Sequence, residues 1–312
     1  MTQDVPARNE GREPAHARLA VDCRCRLGEG IVWWARHRAL LWTDIEGARL
    51  WISDADGARS WALPARLGSL APCASGALLL GLEHGLFHAH LDATAPGGIR
   101  MASLADVEVD IPSTRLNDGR TDRAGNFVFG TMNQDEGHPA TGSFYQWSTA
   151  AGLRRLDLPN VGIANSICFS PDGETMYFCD SPRRQIMTCR YDAGAAAATD
   201  VKLFAELGSS DGFPDGSIVD AEGHLWNAAW GAGVVRRYRP DGSLERNVSV
   251  PAKNPTCPLF GGDLLNELYI TTARQEMSPA ELARTPDAGG VYRADIPGVC
   301  GLPDAPFADL KT

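Results

Sequence analysis

The sequence predicts an all-β chain: a six-bladed β-propeller whose mostly four-stranded antiparallel blades surround a central channel. Three observations predict it. Helical periodicity is nearly absent from the 312 residues. A short alternating run, a small turn and a second alternating run recur six times along the chain. A polar turn precedes every one of these hairpins.

Taken in chain order, the hairpins are "ALLWTDIEGARLWISDADG" from Ala39, "GALLLGLEHGLFHAHLD" from Gly76 and "GNFVFGTMNQDEGHPATGSFYQWS" from Gly125. They continue with "ETMYFCDSPRRQIMTCRYD" from Glu174, "GHLWNAAWGAGVVRRYRPDG" from Gly223 and "NELYITTARQEMSPAELARTPDAGGVYRAD" from Asn266. Their starts lie 37, 49, 49, 49 and 43 residues apart, the spacing of units that each hold several short strands. The turns ahead of them are "ARHRA", "CASGA", "DRAGN", "SPDGE", "DAEGH" and "GGDLLNE". Before each turn lies another short run, which gives about three strands per unit and a fourth in the connection to the next. The one weak helical pattern, at residues 278–284, falls inside the long loop of the last unit. A strand within residues 19–25 is expected to pair with the last blade and close the ring, removing an open sheet edge. Residues 1–17 read as a polar lead-in and residues 18–312 as a single propeller domain.

Composition narrows the function classes. With 44% hydrophobic and 22% charged residues, the chain is an ordinary globular one, long enough to bury a substantial core. The formal charge of −10, with no Lys/Arg cluster against it, argues against a nucleic-acid partner. No apolar run approaches the ~20 residues that cross a bilayer, so no membrane partner is expected. The first twenty residues lack an apolar signal core, which makes a cytoplasmic location the expectation. The eight cysteines form no CxxC pair and read as reduced, buried thiols. A small-molecule substrate and a monomer or weak homo-oligomer complete the expectation.

If the units repeat, the run ahead of each turn is the innermost strand of its blade. Aligned on their turns, these runs read "GEGIVWWA", "LGSLAPCA", "LNDGRTDR", "ANSICFSP", "PDGSIVDA" and "PTCPLFGG". Four carry a metal-capable or hydrogen-bonding side chain at the same phase: Glu29, Asn117, Asn165 and Asp215. Alone, an Asn or Asp beside glycine is a common turn former; four such side chains in phase would converge at one end of the channel. Two carboxylates with amide oxygens are hard ligands, suited to Ca²⁺, Mg²⁺ or Mn²⁺. No histidine shares the phase, which disfavours a His-rich zinc site, although Zn²⁺ accepts oxygen ligands. Without a cation the two carboxylates would repel, and one would take up a proton. Arg115 and Asn117, two apart, share a strand face. A guanidinium beside an amide suits sugar hydroxyls and a carbonyl or developing oxyanion. The alternative is an Arg115–Asp118 ion pair at the surface.

The strings "LGEGIVW", "RLNDGRTDRAGNFVFGTM", "IANSICFSPDGETMYFCDS", "FPDGSIVDAEGHLWNAAWGAGVVRRYRPDG" and "LYITTAR" resemble the SMP-30/gluconolactonase family, also called regucalcin-like, across residues 18–295. The resemblance implies a six-bladed propeller holding one divalent cation in its channel and hydrolysing aldonolactones. It implies Glu29, Asn165 and Asp215 as metal ligands and Arg115 and Asn117 as substrate-binding residues. Ca²⁺ is the first expectation for the cation, with Zn²⁺, Mn²⁺, Mg²⁺ or Fe²⁺ as alternatives. Many relatives have Asn-Gly where this chain has Asn165-Ser166, a departure that keeps the ligand and alters the pocket wall beside it.

The expected function is hydrolysis of a sugar lactone (glucono-, xylono- or arabinonolactone) to the aldonic acid, by a carboxylic ester hydrolase. The choice leans to a pentonolactone, because the "NSICFSPDGETMYFCDSP" region resembles bacterial arabinolactonase-like members. Asp215 is the candidate general base. Asp118 is the second candidate, but strand alternation points it away from the channel and gives it a supporting role. The rival readings are a phosphotriesterase-like metal hydrolase and a non-enzymatic calcium-binding or scaffold propeller. A scaffold would not need channel carboxylates at matched phase. The long polar loop at residues 130–143 is expected to cover the channel mouth. The tryptophans read as packing between blades, with a place at the pocket border the alternative for Trp230, and the His84, His88 and His90 cluster as an exposed strand of the second blade.

Overall fold

Alternating side chains let each hairpin bury one row of residues against the neighbouring blade, and six such hairpins close into a ring. The computed structural model describes residues 15–309. The innermost strands of blades one to six are Gly28–Trp34, Leu67–Pro72, Thr114–Thr121, Ala164–Phe169, Phe213–Val219 and Asn254–Gly261. Each heads an antiparallel sheet of four strands, except in blade five, which has five. The extra strand is Ala15–His16, parallel to Leu244–Ser249. Sheet pairing therefore begins before residue 18, inside the expected lead-in; residues 1–14 lie outside the described residues.

Ring closure follows the sequence expectation. Arg18–Val21 pairs antiparallel with Val291–Asp295, Leu19 opposite Tyr292, and so completes the sixth blade with the N-terminal end of the chain. Among the described residues the single α-helix is Pro279–Arg284, in the loop of the last blade. A reciprocal Ser278–Glu281 capping box starts it. No helix among these residues is long and apolar enough to cross a membrane.

Two of the recurring polar turns share one chemistry. In "DRAGN", Asp122 Oδ1 accepts the N–H groups of Ala124 and Asn126, both at 2.9 Å. In "DAEGH", Asp220 Oδ1 does the same for Glu222 and His224 at 2.9 and 3.0 Å. The aspartate thus replaces backbone partners that a tight turn cannot supply. Between blades the core is aromatic and aliphatic. Trp226 of blade five meets Phe260 of blade six edge to face, ring centres 5.4 Å apart.

One feature has no alternating pattern to announce it. After the last strand, residues 296–309 run beneath the ring. Cys300 O accepts the Ala221 N–H of blade five, and the Gly301 N–H donates to Leu265 O of blade six. Asp304 then takes a bidentate contact from Arg120 of blade three at 3.0 and 2.9 Å. Phe307 exchanges backbone hydrogen bonds with Pro72 and Ala74 of blade two. Blades two and three face blades five and six across the ring, so this segment spans the lower end of the channel. Phe307, 1% exposed, anchors it in a cluster with Cys73, Leu79, Phe127 and Phe129.

We expect Phe307→Ala to cost about 3–5 kcal/mol of stability, read as a lowered urea midpoint at constant slope. A loss below about 1 kcal/mol, the range of peripheral surface changes, would make the segment an appendage rather than part of the core.

Candidate functional site at the head of the channel

The innermost strands start at the upper end of the channel, and the candidate residues sit near those starts. Glu29, Arg115, Asn117, Asn165 and Asp215 all line one cavity of about 330 Å³. Its walls are mainly apolar, with Met132, Ile163, Phe213, Pro214 and Trp230 among them. Trp230 borders the pocket, the alternative to its reading as inter-blade packing. The loop at residues 130–143 reaches it too, through Met132, Gly137 and His138. His138 Nδ1 lies 2.7 Å from Asn133 O, which fixes the ring against its own loop.

Backbone irregularity aims the polar side chains. All six innermost strands slip register against the next strand. In four of them the slip falls at the candidate residues: after Glu29, Leu116, Asn165 and Pro214. A bulge of this kind releases a residue from strict alternation and turns its side chain. Gly30 and Ser166, the residues after Glu29 and Asn165, accordingly take left-handed φ values of 57° and 62°. Glycine adopts this conformation freely; serine does so at a cost.

Two aspartates pin the approaches to the ligand positions. Asp44 accepts the N–H groups of Arg26 and Leu27 at 3.1 and 3.0 Å. Asp180 Oδ1 accepts those of Gly162 and Ile163, both at 3.0 Å. Each holds the chain two residues ahead of a site residue, Glu29 or Asn165. The pair lies outside the inner-strand phase, and the sequence signal that marks it is an aspartate closing the second strand of each blade, in "LLWTD" and "MYFCD".

A hydrogen-bond relay then fixes the amides. Arg115 Nη1 donates to Asn117 Oδ1 at 2.7 Å and to Leu116 O at 2.8 Å. Asn117 Nδ2 donates to Asn165 Oδ1 and to Ala164 O, both at 3.0 Å. Asn165 Nδ2 donates to Ser181 Oγ at 3.0 Å, and Ser181 Oγ to Pro214 O at 2.7 Å. The relay crosses blades three, four and five and leaves Asn165 with its oxygen toward Asn117 and the cavity. Arg115 forms no ion pair with Asp118, so the surface-pair alternative does not hold. Ser181 was not foreseen; it becomes visible only when blade four meets blade five.

Ser166 corrects a second expectation. It is fully buried and does not line the cavity. Its Oγ donates to Asp215 O at 2.6 Å and accepts from Asn227 Nδ2 at 3.2 Å. Serine at this position therefore braces the Asp215 backbone from behind rather than altering the wall.

Glu29 and Asp215, 186 residues apart in sequence, both line this cavity, near enough for each carboxyl group to shift the other. Burial first, then the Asp118 charge, pushes the Glu29 pKa up to about 8. Burial and the Glu29 charge raise that of Asp215 well above the carboxylate range. Asp118 stands at the seam between blades three and four, its Oδ2 accepting the Ile167 N–H at 2.7 Å. Burial raises its pKa to about 6. Asp118 does not line the cavity, and the bulge after Leu116 interrupts the strict alternation of its strand. Its charge is nonetheless felt by both Glu29 and Asp215. Three acidic groups and the Asn165 oxygen thus crowd one end of the channel, a donor set whose mutual repulsion a hard divalent cation would relieve.

The sign of the pH effect follows. In the metal-free fold these carboxyl groups hold protons that the unfolded chain would release near pH 4–4.5, so their stabilising contribution is complete below that range and fades as pH rises through about 6 to 8. We expect the melting temperature of chelator-treated protein to fall between about pH 5 and about pH 8, and excess divalent cation to remove most of that fall. A flat or rising curve without cation would contradict the arrangement.

Comparison with known proteins agrees with this architecture. The model of the SMP-30/Gluconolactonase/LRE-like region matches residues 27–274. An L-arabinolactonase of Azospirillum brasilense is 45% identical over 94% of this chain and 95% of its own length. A pentonolactonase of Haloferax volcanii is 32% identical over 88% and 93%. Among solved structures, a calcium-binding regucalcin from Agrobacterium tumefaciens superposes with a TM-score of 0.86 at 32% identity, covering 94% of this chain and 98% of that one. Fold, inner-strand motifs and overall likeness coincide along nearly the whole chain, which belongs to the SMP-30/gluconolactonase/LRE-like family.

Proposed function

We propose that this protein hydrolyses a sugar lactone, a pentonolactone in the first instance, to the open aldonic acid at the head of its channel. The observation that carries the reading is the convergence of Glu29, Arg115, Asn117, Asn165 and Asp215 on one small cavity. Its likeness to an arabinolactonase and a pentonolactonase supports the substrate class. At about 330 Å³ the cavity sits at the small end of ligand pockets, which run from ~300 to 1,000 Å³.

The donor set of Glu29, Asn165 and Asp215 fits one divalent cation, Ca²⁺ in the first instance, and the calcium-binding relative supports that choice. When bound, such a cation would supply Lewis acidity toward the lactone carbonyl and toward water.

The chain's own groups account for the remaining chemistry. Burial lowers the Arg115 pKa to about 10, so its guanidinium is still cationic at neutral pH. The relay holds it through Nη1, leaving its other N–H groups for sugar hydroxyls and for the oxyanion that forms as the carbonyl is attacked. Asp215 accepts a proton from the attacking water as the new C–O bond forms. The ring C–O bond then breaks, and that proton passes to the departing ring oxygen, which becomes the hydroxyl of the product. Met132, Ile163, Phe213 and Trp230 pack against the carbon face of the sugar and exclude bulk water.

We expect Asp215→Ala and Glu29→Gln each to lower kcat by about 10²–10⁴-fold while far-ultraviolet circular dichroism stays unchanged. Arg115→Ala should raise KM, through the lost sugar contacts, and lower kcat, through the lost oxyanion contact, and leave the amount of bound metal unaltered. The decisive assay is proton release from a panel of pentono- and hexonolactones by purified protein, with and without chelator. No release above the spontaneous rate would end the proposal, and a preference for aryl phosphotriesters would redirect it.

A further inference from the structure

A second group of metal-capable side chains lies at the opposite end of the molecule from the cavity, where the C-terminal segment meets blade two. Cys73 follows the innermost strand of that blade and is 4% exposed. His88 lies on the strand Gly85–Leu91, and Asp309 ends the described part of the C-terminal segment. One donor atom from each of the three lies within 4.8 Å of the other two. His88 Nε2 and Asp309 Oδ2 are 3.2 Å apart. With metal–nitrogen and metal–oxygen bonds of 2.0–2.1 Å, the edge of a tetrahedral site is about 3.3 Å, so this pair already stands at coordination spacing.

The carboxylate is held in place by Ser75. Asp309 accepts the Ser75 N–H at 3.0 Å and the Ser75 hydroxyl, the kind of support that orients metal-bound carboxylates. His90 shares the strand face of His88, its ring 5.0 Å away and edge-on, but is exposed and stands outside the three-residue donor group. The donors are a thiol, an imidazole and one carboxylate, a soft set that selects zinc over calcium or magnesium. Charge balances as well: a thiolate and a carboxylate neutralise a divalent cation in this half-buried place. In the free protein, burial and the Asp309 charge keep the Cys73 thiol protonated. On binding, the S–H bond breaks, its proton goes to solvent, and the sulfur lone pair forms the bond to the metal.

We propose that Cys73, His88 and Asp309 form a structural zinc site that fastens the C-terminal segment to blade two. It is separate from the oxygen-lined head of the channel in both position and ligand chemistry.

Cobalt(II) titration of the intact, chelator-stripped protein tests this, because only a thiolate ligand gives sulfur-to-cobalt charge-transfer absorption in the near ultraviolet. The band should appear in the wild type and in a Cys23→Ser, Cys25→Ser double variant, and vanish in Cys73→Ser. Zinc should raise the melting temperature of the wild type and fail to do so for Cys73→Ser and His88→Ala. His88 is partly exposed, so His88→Ala should fold and weaken zinc binding by more than the roughly 10–100-fold typical of losing a supporting group. A wild type without the band, a band that survives Cys73→Ser, or zinc affinity unchanged in His88→Ala would overturn the proposal and leave His88–Asp309 a simple hydrogen-bonded contact.

Discussion

Like-charge repulsion at the head of the channel is the constraint on which the rest depends. Glu29 and Asp215 arrive from opposite parts of the chain, and Asp118 adds a third acidic group close by. A fold that only needed a packed interior would place apolar residues there, since each buried carboxyl group is penalised by lost hydration. The penalty falls at one place, and the neighbouring groups are arranged around it. The Asn165 oxygen is turned toward the cavity by Asn117 and Ser181, and the Arg115 cation is buried alongside. This balance is what a divalent cation and a polar substrate would complete.

Strained backbone supports that arrangement, and the strain is locally braced. Bulges in the innermost strands break the alternation that built the blades, which is how neighbouring residues can both bear on the channel. Ser166 holds a left-handed backbone that suits glycine better, and its hydroxyl ties blade four to the Asp215 carbonyl of blade five. Asp44 and Asp180 capture the backbone N–H groups that would be unpaired where the chain enters the channel. Residues outside the cavity lining therefore set where the candidate site residues stand.

The lower end is closed by different means. Arg120, further along the strand that carries Arg115 and Asn117, grips Asp304 of the C-terminal segment. Phe307 then seats that segment in the core of blades two and three. The channel consequently has one open mouth, and the apolar loop residues around that mouth govern access. Closure below also shields the acidic cluster from bulk solvent, which strengthens every electrostatic term within it.

The repeat of turns and alternating runs determined the six blades, because a strand with one row against its neighbour must show period two wherever it lies. Phase within the repeat also made Glu29, Asn117, Asn165 and Asp215 legible, since equivalent positions of equivalent strands face the same axis. Around Asp118 a bulge interrupts the alternation, so its place at the seam with blade four is set by the adjoining strand. Ser181, Ser166 and the C-terminal segment were hidden for a related reason: their partners, Pro214, Asp215 and Arg120, are brought to them by ring closure alone. Periodicity is a local property of the chain and can be read from it. Contacts between blades depend on distances that exist only once the ring has closed.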